Sequence, residues 1–121
     1  MQFGDFIKSK RLAAEITLRD MSERIKVSPA YLSDIENNRR YPMDNEKMAV
    51  LIKELNLTTE EAETVYDLAG KARNELSPDL LEYTMDSNVS PYVRTALRKA
   101  KKAEATIEDW KEFIKKIDGK E

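Results

Sequence analysis

Arg19, Ser33, Asp34, Asn37 and the Arg39-Arg40 pair are the residues whose types and spacing could do chemistry, and that chemistry is recognition. Arginine offers a planar fork of donors to anions, Ser and Asn both donate and accept, and an ionised Asp only accepts. The chain has no His and no Cys, so the commonest general base, the usual imidazole ligand and the thiol nucleophile are all missing. Glu60-Glu61 and Glu108-Asp109 stand at helix starts, where acidic side chains complement the dipole. The glycines at 4, 70 and 119 are isolated, so no glycine loop cradles a phosphate. No catalytic residue, metal site or cofactor is expected, and the chain reads as a binding protein, not an enzyme.

Two short helices and a tight turn must hold the recognition groups. Thr17 is a good N-cap with Asp20 three positions on, and Leu18, Met21 and Ile25 fall at i, i+3 and i+7 along one helical stripe. Ser22 is small enough to let a second helix cross closely. Lys26, Val27 and Ser28 connect, with Val27 plugging inward. Ser28-Pro29 restarts the chain, because Ser caps and Pro is preorganised for a first helical turn. Leu32 and Ile35 then face the core, which leaves Pro29, Ala30, Ser33, Asp34 and Asn37 largely outside it. Asn38 suits a left-handed C-terminal cap, and the arginine pair follows at once.

Arg11, Ser22, Val27-Ser28, Ile35-Glu36-Asn37 and Pro42, in that order, make the stretch from Phe3 to about Leu55 resemble the phage-repressor and Cro type of helix-turn-helix, the XRE family. The resemblance implies an all-α protein with a five-helix head whose third helix enters the major groove of double-stranded DNA. The DNA-binding residues it implies are Arg19, Ser28, Pro29, Ala30, Tyr31, Ser33, Asp34, Asn37, Arg39 and Arg40. Arg19, Tyr31 and the arginine pair would face phosphate. Ala30 would meet a thymine methyl, Ser33 several base edges, and Asp34 cytosine N4. Arg11 and Glu36 occupy the positions that in similar repressors form an ion pair between the first and third helices. Two departures stand out. Lys26 replaces the usual turn glycine, at a cost of about 1 kcal/mol if it is left-handed, and Asn38 replaces the glycine that usually follows Glu-Asn. Pro29 and Ala30 stand where many relatives carry Gln, so no relative's base preference transfers.

Periodicity organises the remainder. Helices are predicted at about 3–14, 18–25, 29–37 and 45–55, and a Thr58/Glu61 capping box opens a fifth that runs to about Ala72. About three more follow, at 78–85, 91–103 and 107–117, with Ser77-Pro78 and Ser90-Pro91 read as cap plus first turn. The division is therefore a DNA-binding head at 1–72 and a C-terminal helical extension at 73–121, with the clearest break at 86–89 and no internal repeat. In the extension, Ile107, Trp110, Phe113, Ile114 and Ile117 share one face of a strongly amphipathic helix, and Val93 and Leu97 line its neighbour. These helices either cover the head or pair with a second copy, and pairing is favoured, with these seven residues as the candidate dimer interface, because two-fold DNA readers address half-sites about 34 Å apart. Arg98, Lys99, Lys101 and Lys102 read as a solvated helix face.

Composition is compatible with this reading. The 121 residues are 40% hydrophobic, enough for one modest core plus an extension. The net charge of −2 divides as 10 basic against 9 acidic residues through Leu57 and 11 against 14 beyond it. A slightly positive head predicts weak nonspecific affinity and dependence on a paired, palindromic site. No apolar run reaches the roughly 18 residues of a membrane span and no signal peptide is read, so the cytoplasm is expected. The expected function is a homodimeric repressor of its own or an adjacent small operon. The alternative is an antitoxin-like module whose C-terminal helices bind a partner protein.

Overall fold

The computed structural model describes residues 1–120. Among the described residues eight helices follow one another: α1 (Phe3–Ala13), α2 (Leu18–Arg24), α3 (Pro29–Glu36), α4 (Asn45–Glu54), α5 (Thr59–Arg73), α6 (Pro78–Thr84), α7 (Ser90–Lys102) and α8 (Ile107–Asp118). No strand occurs among the described residues.

A single connector joins four of the helix pairs. In each, one left-handed residue ends a helix, one apolar residue follows, and a Ser or Thr caps the next helix. The left-handed residues are Glu15, Lys26, Asn56 and Glu104, with φ of 57°, 59°, 52° and 55°. The apolar residue's N–H reaches back five positions, from Ile16 to the Arg11 carbonyl, Val27 to Ser22, Leu57 to Ile52 and Ala105 to Ala100. This bond, with the left-handed residue's own N–H, satisfies carbonyls that a helix end would otherwise orphan. Thr17, Ser28, Thr58 and Thr106 then accept from the third N–H of their helices at 3.0, 3.0, 3.1 and 3.2 Å. The chain thus carries a repeated connector although no internal repeat was expected, because only the physical class of each residue recurs.

The other two Ser-Pro pairs behave differently. Ser90 lies inside α7, whose N-cap is Val89. The Ser77 hydroxyl donates to Asp67 Oδ1 at 2.6 Å, and it is the Ser77 carbonyl that accepts from the Leu80 and Leu81 N–H groups at 3.0 and 2.9 Å.

Two compact units result, Met1–Glu82 and the chain from Tyr83 onward. In the first, α2 packs on α3 and α4, and α1 on α3 and α5. Ile7, Met21, Leu32, Ile35, Met48, Leu51 and Val65 are buried at the centre, with Ser22 fully buried beside them. The start of α6 belongs to this unit, because Asn45 Nδ2 donates to the Pro78 carbonyl at 3.3 Å. In the second unit, α8 holds Trp110 and Phe113 edge to face, with ring centroids 6.2 Å apart. Ile107, Trp110, Phe113, Ile114, Ile117 and Leu97 are all exposed, Ile107 to 74%, while Val93 is half-buried. Arg98, Lys99, Lys101 and Lys102 are exposed as well.

Candidate nucleic-acid interface

The angle of α3 is fixed from α1. Arg11 Nε donates to Glu36 Oε2 at 2.7 Å and its Nη2 to Oε1 at 2.9 Å, while Nη1 donates to the Ile16 carbonyl at 2.8 Å. Both side chains are buried, at 8% and 4% exposure. The hydrogen bond to Glu36 holds the Arg11 pKa above its ordinary value, against the desolvation that lowers it. With all three guanidinium nitrogens engaged, Arg11 acts as a brace and is not presented to a phosphate.

A second tie joins the first turn of α1 to the residue that follows the C-cap of α3. Asn38 is left-handed, with φ 59°. Its Oδ1 accepts from the Gly4 N–H at 2.9 Å, and its Nδ2 donates to Asp5 Oδ1 at 3.1 Å. Asn38 therefore ends α3 and satisfies an orphan donor in the first turn of α1, a double task that glycine cannot perform. Gly4 is what permits the approach, since a Cβ there would run into the carbonyl oxygen of Ile35 and lie 2.6 Å from Asn38 Oδ1.

The connector before α3 is also held. Lys47 on α4 extends its Nζ to the carbonyls of Ile25 and Lys26, at 3.3 and 3.4 Å. A cation placed on the last carbonyls of α2 complements the negative end of that helix. Lys26 takes the left-handed conformation that the turn demands.

The outer face of α3 follows from this frame. Ser28, Pro29, Ala30 and Asn37 are exposed, and Tyr31, Ser33 and Asp34 half-buried. Asn37 Nδ2 donates to the Ser33 carbonyl at 2.9 Å and to Ser33 Oγ at 3.3 Å. With Oγ accepting there, Ser33 keeps a rotatable O–H and a second lone pair, so it can donate to guanine O6 or N7, thymine O4 or a phosphate oxygen, or accept from a base amino group. Arg40 lies over the Tyr31 ring, 4.7 Å from its centroid, so these two are brought together in a cation–π stack that fixes the guanidinium beside α3. Arg19, in the first turn of α2, and Arg39 are exposed. Asp34 has no ion pair among the described residues.

Residues 7–62 match a family model described as helix-turn-helix. This matched segment is a helix-turn-helix domain of the XRE type. Within the matched segment α2 and α3, joined by the turn at Lys26 to Ser28, are the helix-turn-helix pair of a domain type that binds DNA. A chain of the SinR protein/SinI protein complex superposes with a TM-score of 0.49 at 20% identity, covering 98% of this chain and 97% of that one. Comparison with curated proteins gives no match. No helix among the described residues is long and apolar enough to cross a membrane.

Three contributors to the XRE-type site escape sequence reasoning. The tie from Asn38 to Gly4 and the Lys47 support of the connector depend on pairings 34 and 21 or more positions apart. Arg73 is the third. It donates from Nη2 to the Pro42 carbonyl at 2.8 Å and lies over the Tyr41 ring, bracing the segment that leaves α3.

Proposed function

We propose that the protein is a homodimeric, sequence-specific repressor that occupies a palindromic promoter site of its own or an adjacent small operon in the cytoplasm. The observation that carries this reading is the combination of a sparsely equipped reading helix with an exposed apolar helix face. The α3 surface offers a proline ring, an alanine methyl, one hydroxyl and one carboxylate. A good bidentate contact to a base discriminates by about 1–3 kcal/mol, and neither Ala30 nor Ser33 can make one. One head alone binds weakly. Two heads double the phosphate contacts and read two half-sites in fixed register.

The α8 stripe, with Val93 and Leu97 of α7, supports the dimer. Large exposed apolar patches on small proteins mark interaction sites, and two-fold pairing of identical faces is the commonest way such patches are covered. Repression by occupancy asks nothing further of the chain, since no step in it requires a catalytic group.

Selection from a random DNA pool by the purified protein tests the proposal, and a palindromic consensus is expected. Ala30→Glu with Ser33→Glu should abolish selection while the fold persists, because both positions lie on the outer side of α3. Full affinity in that variant refutes the assignment of α3. DNA binding seen only when a second protein is added would favour the antitoxin-like reading, in which the α8 face grips a different chain.

A further inference from the structure

The segment leaving α3, α5 and the residues Met1, Gln2 and Phe3 together line an open groove of about 680 Å³. Arg39, Arg40, Tyr41 and Pro42 line it on one side, Leu68 and Lys71 on the other. No acidic side chain lines it among the described residues, although the chain as a whole carries 23 acidic against 21 basic residues. The cations are held in different ways. Arg40 is stacked on Tyr31, whereas Arg39 and Lys71 have no ion pair among the described residues. Arg73 stands behind the wall, engaged with Tyr41 and the Pro42 carbonyl.

We propose that this groove is a phosphate site in which Lys71, on the last turn of α5 and nine positions past the end of the matched family segment at residue 62, joins Arg39 and Arg40. Three cations lining one groove without a carboxylate favour a doubly charged or closely spaced anion. Leu68, Pro42 and the exposed Tyr41 ring give an apolar flank of the kind a sugar would meet. The phosphate belongs to the DNA backbone, because the groove is continuous with the segment that leaves the reading helix. In this form the proposal rests on the operator-binding reading above. A free phosphorylated anion shares the same chemistry, and the experiment separates the two sources.

Operator affinity is measured against salt concentration for the wild-type chain and Lys71→Gln. The log–log slope should become shallower by about 0.9 for each bound head, the counterion release of one phosphate contact. Operator and non-operator DNA should weaken by the same factor, since a backbone contact carries no sequence information. A Lys71 that only complements the α5 dipole would lower the melting temperature and leave the slope unchanged. In parallel, inorganic pyrophosphate is titrated calorimetrically into both proteins without DNA. An unchanged slope together with pyrophosphate binding that Lys71→Gln removes keeps the phosphate site and assigns it to a free anion. An unchanged slope without pyrophosphate binding overturns the proposal. If the wild-type chain binds no DNA at all, the regulator reading fails by itself, and the pyrophosphate titration still decides the groove.

Discussion

Arg11 and Glu36 meet fork to fork inside the head, with contacts of 2.7 and 2.9 Å between residues 25 positions apart. The pair couples α1 to α3, and its burial sets the consequence of breaking it. Glu36→Ala leaves a buried guanidinium without its carboxylate and should cost about 3–5 kcal/mol, read from urea unfolding. Arg11→Met with Glu36→Leu should recover most of that loss, because two apolar groups leave no stranded charge. A double variant no more stable than Glu36→Ala would contradict this account.

Lys26 and Asn38 share a left-handed backbone but not a fate on replacement by glycine. Lys26→Gly removes the Cβ penalty and should stabilise the head by up to about 1 kcal/mol, as Lys47 bonds only to backbone there. Asn38→Gly gains the same relief but loses the bonds to Gly4 and Asp5. A lost N-terminal cap costs about 1 kcal/mol or more, so the net change should be destabilising. Melting temperatures that move in the same direction for both variants would refute the capping role of Asn38.

Gly4→Ala puts a methyl against the Ile35 carbonyl and 2.6 Å from the Glu36 carbonyl oxygen. Backbone atoms cannot rotate aside, so α1 must shift from α3 at a cost of about 1–3 kcal/mol. Calorimetry should show the loss, and operator affinity should fall because α3 changes its angle.

Glu61 ties α5 to α1. Its hydrogen bond from Lys10, and then that from the Thr58 N–H, lower its pKa from an ordinary 4.5 to about 2. A carboxylate depressed by folding contributes stability fully above its unfolded pKa and loses it as pH falls through the folded value. The stability gap between wild type and Glu61→Gln should therefore be constant from neutral pH down to about 4.5 and close between 4.5 and about 2. Thermal melts across that range check the sign, and a gap that widens on acidification would oppose it.

Phe113→Glu with Ile117→Glu places charge on the exposed α8 stripe. Both positions are open to solvent, at 54% and 44%, so little folding stability should be lost. On the proposed dimer, sedimentation should report a wild-type dimer and a monomeric variant, with operator affinity lowered at least about tenfold through loss of the paired head. A variant that still sediments as a dimer would move the interface elsewhere.

Local rules carried the sequence reading far. The helix starts at Thr17, Ser28 and Thr58 were legible because a cap needs only a hydroxyl and an N–H three residues later. The apolar stripes of α2, α3 and α8 were legible because a helix repeats every 3.6 residues whatever surrounds it. Ser77 and Ser90 mark where that reasoning stops. The same Ser-Pro pair caps α3 at 28, gives its hydroxyl to Asp67 at 77, and lies one residue inside the helix at 90.

The sequence by itself determined the helix set, the outer face of α3 and the apolar face of α8, because each depends on neighbours within about one helical turn. Only the tertiary structure decided that Asn38 caps α1, that Lys47 holds the connector before α3, and that Lys71 lines a groove with Arg39. Long side chains of one type are equally at home in solvent or in such a contact. The difference is made by which distant backbone or charge the packing brings within reach, and a helical period carries no record of that.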